Sequence, residues 1–218
     1  MADPEKKKEE SNAGESQKQI PESMWPDWLK SSALFFFEIL KIVVISLAII
    51  LPIRFFLVQP FYVRGASMEP TFHDYQYLLI DEISYRFSDP QRGDIVVFHY
   101  PEDPSQFFIK RVIGLPGETV SLEDGDVVIT PASPAASIVL HEPYLSDSLE
   151  TNCLKQYSCT LPMTLGSDQY LVMGDNRNAS FDSRYFGPVT KEGIVGKVWL
   201  RVWPFTTFRR FETQSYSL

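Results

Sequence analysis

The feature that most constrains this chain is a long apolar run near its N-terminus, "SSALFFFEILKIVVISLAIILPIRFFLVQPF". Its uninterrupted part, Ile42 to Ile53, is too short to cross a bilayer, which needs about 20 largely apolar residues. Ala33 to Val58 is long enough if Glu38, Lys41 and Arg54 sit at the interfaces, pair, or snorkel. A buried core helix is the alternative. A cleavable signal peptide fits less well, because a long charged tail precedes the segment and the apolar region is too extended. The segment, residues 32–59, is read as an uncleaved anchor. Residues 1–31 are polar, mixed in charge and without apolar periodicity, which reads as a disordered tail. Lys18 and Lys30 precede the anchor and Arg64 follows it, so positive charge does not set its orientation.

Beyond Pro60 the texture changes to short β-type runs between Gly, Pro and Asp turns. "YQYLLIDEI", "DIVVFHY", "FFIKRVIGL", "DVVIT", "QYLVMGD" and "GIVGKVWLRVW" are the clearest. No helical period recurs. The expectation is a mostly β fold: an all-β domain of short antiparallel strands over residues 60–218, preceded by one transmembrane helix. "TPASPAAS" reads as an exposed loop. A hydrophobic share of 44% supports a real core, and a net charge of −8 argues against a general nucleic-acid binder. Cys153 and Cys159 form no CxxC pair and have no histidine at ligand spacing, so no metal site is expected. They either close a small disulfide loop or remain thiols.

Three stretches carry candidate chemistry. "RGASMEPTF" presents Ser67 on a small-residue loop just after the anchor. A serine hydroxyl is a weak nucleophile until a base takes its proton. Of His73, His99 and His141, nothing marks a histidine–carboxylate pair around His73, and His99 ends a strand-like run beside a Pro-rich turn, as a surface histidine does. The alternative base is Lys110 in "FFIKRVIG". Strand alternation puts it on one face with Phe108 and Val112, while Arg111 alternates with Ile109 and Ile113. Both faces are apolar, so the strand is expected to be covered on both sides. A lysine there loses hydration, its pKa falls, and its neutral amine becomes a competent base. A snorkelling lysine at a strand end is the plainer alternative. The third stretch, "GDNRNASFDSR" (Gly174 to Arg184), is too polar for a core and reads otherwise as an Asx-rich turn. Its Asn178-Ala179-Ser180 triplet matches a glycosylation sequon, a pattern common by chance.

Together, "GASMEPTF", "RGDIVVFHYPEDPSQFFIKRVIGLPGE" and "GDNRNASFDSR", in this order and behind an anchor, resemble the type I signal peptidases. The resemblance implies a membrane-bound serine endopeptidase with a Ser-Lys dyad that removes signal peptides from exported preproteins. It makes Ser67 the nucleophile and Lys110 the general base. Ser180 matches the residue that orients the amine, Asp182 and Arg184 match a supporting pair, and Arg111 follows the base. It implies a single-pass protein of the bacterial plasma membrane, with the tail cytoplasmic and the catalytic domain outside. No metal or organic cofactor is implied. Many relatives carry a serine two positions before the nucleophile where this chain has Gly65; the oxyanion would rest on the Ser67 N–H, aided by the Gly65 N–H. An extended substrate would lie between the two strands, with Val63, Met68, Phe72, Phe108 and Ile109 lining shallow pockets for small side chains. Preproteins and membrane lipids are the expected partners. A self-cleaving Ser-Lys repressor and a non-enzymatic tethered scaffold are the rival classes.

Near the C-terminus, Gly193 to Val202 reads as a core strand followed by a frayed tail. Trp203, Phe205 and Phe208, with Arg209 and Arg210, suit a bilayer interface.

Overall fold

A computed structural model describes residues 27–52, 58–133, 136–146, 149–213 and 216. The expected tail over 1–31 falls almost entirely outside the described residues, as does Arg54. The chain divides into two compact units, Met1–Ala48 and Ile49–Leu218. Helix α1, Asp27–Pro52, is rich in Leu and Ile and free of Gly and Pro until its last residue. Within it, Leu34–Leu51 has a mean hydropathy of 2.7 and no buried residue, so the helix is long and apolar enough to cross a membrane. Glu38 and Lys41 pair across one turn at 3.8 Å, one of the ways such charges are accommodated. The helix ends earlier than the sequence reading placed the anchor's end. Val58 and Gln59 already belong to strand β1, Val58–Tyr62, opposite Asp81 and Ile80.

The expected mostly β, antiparallel architecture is what the second unit adopts. After β1 come β2 (Tyr77–Asp81), the one-turn helix α2 (Ser84–Phe87), β3 (Ile95–Tyr100) and β4 (Asp103–Gly114). Then follow β5 (Thr119–Glu123), β6 (Asp126–Thr130), β7 (Ile138–Val139), β8 (Met163–Thr164) and β9 (Gln169–Met173). Helix α3 (Ser183–Phe186), β10 (Val189–Thr190), β11 (Ile194–Trp203) and β12 (Arg209–Arg210) complete it. One sheet runs β1-β2-β11-β3-β4-β9-β10 with β12 added to β11; a smaller one runs β7-β6-β5-β8. The β5–β6 hairpin turns through Asp124 and Gly125, both at positive φ, the Asp-Gly signature of a two-residue turn. Pro60 sits in β1, an edge strand, where its missing N–H costs no ladder bond.

The core explains the strand texture. Alternate residues of β3 enter different clusters: Val97 joins Met68, Phe72, Leu78 and Ile80, whereas Val96 and Phe98 join Val112 and Val172. A third cluster, around Ile113, Val120, Ile129 and Met173, draws on strands of both sheets. The second half of β4 is covered on both faces, as its apolar alternation predicts. The segment from Phe205 to Phe211 is not a frayed tail. After a turn at Phe205–Thr207, β12 pairs back onto Leu200 and Arg201, and Phe211 packs on Phe72 at 4.7 Å. The two short helices escaped the sequence reading because one turn carries no apolar period.

Gly196 lies where β11 crosses closest to β2. A Cβ there would stand 2.4 Å from the Asp81 carbonyl oxygen, an atom fixed in the ladder. Gly196→Ala is expected to destabilise the fold by about 1–3 kcal/mol, the usual cost of overpacking. Urea unfolding should show a lower midpoint with an unchanged slope.

Candidate active site

The loop after β1 presents Ser67 through a stack of local bonds. The Val63 N–H donates to the Gln76 carbonyl, the Tyr75 N–H donates back to Val63, and the Phe72 N–H closes onto Met68. Gly65 takes φ +86°, a region glycine enters without strain, and its N–H donates to Asp74 Oδ1 at 2.9 Å. Asp74 therefore occupies the donor expected to aid an oxyanion. The Ser67 N–H has no hydrogen-bond partner among the described residues, while the Ser67 carbonyl accepts from the Asn176 N–H at 3.0 Å. Asn176 grips the loop a second time, donating from Nδ2 to the Ala66 carbonyl at 3.1 Å. Gly174 makes this approach feasible, since a Cβ there would fall 2.4 Å from the Ser67 carbonyl oxygen and 2.3 Å from Ser180 Oγ.

Strand β4 carries Lys110 to this loop. Its Nζ donates to Ser67 Oγ at 2.8 Å and to its neighbour's carbonyl, Ile109 O, at 2.9 Å. Lys110 is 4% exposed, and burial pulls its pKa down to about 8 against the upward pull of Asp182 and Asp175. A neutral amine within hydrogen-bond reach of a hydroxyl is the geometry of nucleophile activation.

Behind the pair lie three buried arginine–carboxylate pairs. Arg111 grips Asp175 with two bonds at 2.8 and 2.7 Å, donates to the Gly93 carbonyl, and stacks 3.8 Å above the Tyr144 ring. Thr71 donates a further bond to Asp175, tying the Ser67 loop to the same carboxylate. Arg184 holds Asp182 through Nε and Nη2, both at 2.8 Å, and Asp182 also accepts from the Gly174 N–H. Arg177 pairs with Glu142 and donates to the Gly174 carbonyl and to Thr151 Oγ1.

Ser67, Lys110, Arg111, Asp182 and Arg184 thus converge. Ser180 departs from expectation: it is fully buried beside Gly174, but its hydroxyl has no hydrogen-bond partner and is not bonded to the amine. The cleft over Ser67 and Lys110 has a volume of about 800 Å³, with Val63, Phe108 and Ile109 among its walls. Met68 and Phe72, expected there, are not among those walls but in the core cluster, 1% and 0% exposed, because the loop turns inward after Ser67. No histidine lines the cleft. His73 does stand 3.3 Å from a carboxylate, Glu69, a pairing absent from the sequence reading, and both side chains face solvent. His99 bonds the Pro104 carbonyl, and His141 lines a different cavity. Cys153 and Cys159 form a disulfide. Asp175, Asn176 and Arg177 were visible only as part of a polar stretch. Asp74 and Glu142 left no sequence signal.

A family model described as signal peptidase, peptidase S26, matches residues 36–203, a span that holds every one of these residues. The chain belongs to the signal peptidase family, S26. A probable signal peptidase I-2 of Synechocystis sp. is 38% identical over 173 residues, 77% of this chain and 73% of its own. A signal peptidase I of Leptolyngbya laminosa is 39% identical over 174 residues, 77% and 79% of the two chains. A crystal structure of a signal peptidase I from Enterococcus faecalis is 35% identical, covers 50% of this chain and 97% of its own, and superposes with a TM-score of 0.41. As a signal peptidase family member the protein is a serine peptidase, a hydrolase.

Removing one partner of a buried ion pair leaves the other charge uncompensated and costs about 3–5 kcal/mol. Arg177→Met, which strands Glu142 and frees the Gly174 carbonyl, is expected to lower stability by about that amount in urea unfolding.

Proposed function

We propose that this protein removes signal peptides from preproteins by a Ser67–Lys110 dyad. The observation that carries the reading is the 2.8 Å contact between a desolvated Lys110 amine and Ser67 Oγ at the floor of an open cleft. Neutral Lys110 takes the hydroxyl proton as Ser67 attacks the scissile carbonyl. The oxyanion rests on the free Ser67 N–H. The tetrahedral adduct collapses as Lys110 returns the proton to the leaving amine, which departs and leaves an acyl-enzyme. Lys110 then takes a proton from water, hydroxide adds to the ester, and Ser67 is released with its proton restored.

The substrate lies extended in the cleft as an added strand. Two free edges support this. Strand β9 pairs with β4 only from Arg111 onward, so Phe107 to Lys110 have no partner on that side among the described strands; β1 ends its sheet. Helix α1 anchors the protein as a single span, with the tail cytoplasmic and the peptidase unit outside, where a membrane-held preprotein emerges. Trp203, Phe205 and Phe208 are 49%, 75% and 60% exposed and add a lipid contact at headgroup depth.

Ser67→Ala, Lys110→Ala and Lys110→Arg should each lower preprotein cleavage by at least about 10⁴-fold, because the pair acts as a unit and a guanidinium stays protonated. Turnover near wild type in any one removes the dyad. Protonated Lys110 cannot accept a proton, so kcat/KM should rise with pH through about 8 and level off above it; a flat profile from pH 6 to 10 contradicts it. In bilayer nanodiscs, replacing Trp203, Phe205 and Phe208 by Ser should slow cleavage of membrane-held preproteins more than of soluble peptides. An equal effect on both discards the lipid contact.

A further inference from the structure

The disulfide loop and the aromatic residue inside the polar stretch have no part in the chemistry above, yet they meet at the cleft. Phe181 lies between Ser180 and Asp182 and is half-buried. Its open side lines the same cleft as Ser67 and Lys110. Its other side rests on a ring cluster. Tyr185 stacks on it at 5.7 Å and 12° between planes, Phe186 stands at 5.7 Å, and Tyr157 meets it edge-on at 5.0 Å. Tyr157 comes from the loop closed by Cys153 and Cys159 and is itself 43% exposed, so water competes for its ring.

Both stems of that loop are tied to α3, which begins two residues after Phe181. Arg184 Nη1 donates to the Asn152 carbonyl at 2.6 Å, and the Leu154 N–H donates to the Tyr185 hydroxyl at 2.7 Å. On the far stem, the Thr160 N–H donates to the Arg184 carbonyl at 2.8 Å, and Thr160 Oγ1 donates to the Ser183 carbonyl at 3.0 Å. The stems are therefore fixed by hydrogen bonds. The segment between them, which carries Tyr157, is closed by the disulfide, which removes conformations in which the ring would leave the cluster.

We infer, on the basis of the proposed peptidase reading, that Phe181 is a specificity-determining wall of the cleft and that the disulfide loop sets its position through Tyr157. The wall is an apolar ring face beside the reacting pair. A peptide laid along the free edges of β1 and β4 sends alternate side chains to opposite sides. The one directed at Phe181 is favoured when apolar and disfavoured when acidic, because a carboxylate packed against the ring face loses water.

The test uses the full chain in detergent and preproteins that differ at one residue, scanned through the positions flanking the cut with Ala, Leu, Phe or Asp. At one position the wild type should prefer Leu or Phe over Asp by about tenfold or more in kcat/KM, the scale of an apolar pocket contact. Phe181→Ala should flatten that ratio at that position alone. Tyr157→Ala and the Cys153→Ser/Cys159→Ser double variant should weaken it too, the loss falling on KM for the Leu substrate rather than on kcat, and Tyr157→Phe should restore it. An unchanged ratio in Phe181→Ala, or a uniform loss on every substrate, overturns the wall. A ratio abolished in Phe181→Ala but intact in the Tyr157 and cysteine variants overturns the loop's part. Inactive Ser67→Ala in the same assay leaves the dyad standing whichever of these results is found. Active Ser67→Ala overturns the dyad and with it the site this wall serves.

Discussion

The Lys110 amine is held out of water against Ser67 Oγ, and most of the surrounding structure serves that placement. Burial disfavours the ammonium and brings the pKa down to about 8, within range of a neutral-pH base. Two carboxylates nearby, Asp182 and Asp175, work in the opposite direction. Each is clamped by its own arginine, Arg184 or Arg111, so neither carboxylate is spent on the amine as an ion-pair partner. A lysine paired directly with a buried carboxylate would stay charged and useless as a base.

The same ion pairs fix backbone. Buried pairs seldom add net stability, because desolvation offsets their attraction. Here the spare donors and acceptors are bonded to main chain: Arg111 to Gly93, Arg184 to Asn152 and Arg177, Arg177 to Gly174, and Asp182 to the Gly174 N–H. The segment from Gly174 to Arg184 is thereby held with almost no regular secondary structure of its own. From it, Asn176 reaches across to the Ser67 and Ala66 carbonyls. The position of Ser67 is thus set by residues more than a hundred positions away in the chain.

Ser180 shows the limit of reading a role from a motif. Its hydroxyl is buried beside Gly174 and hydrogen-bonded to neither Ser67 nor Lys110. Gly65 is a similar case. The capture of its N–H by Asp74 is a consequence of how the loop folds.

Short-range pattern accounts for the part of this protein that can be read along one dimension. Twenty or so apolar residues without a turn signal dictate a long helix, and period-two runs between Gly, Pro and Asp dictate short antiparallel strands. Apolar residues on both sides of Lys110 dictate its burial and hence its altered pKa. Motif order brought Ser67, Lys110, Asp182 and Arg184 into view. Tertiary structure decided everything that depends on which distant groups meet. Met68 and Phe72 went to the core because the loop turned inward, a matter of φ at a few residues. Glu142 became the partner of Arg177 and Asp74 the partner of Gly65, pairings with no local signature. The two cysteines, left open between disulfide and thiols, close a loop whose stems are bonded to α3. Hydrogen-bond and charge partners are chosen by three-dimensional proximity, and a one-dimensional pattern carries no term for it.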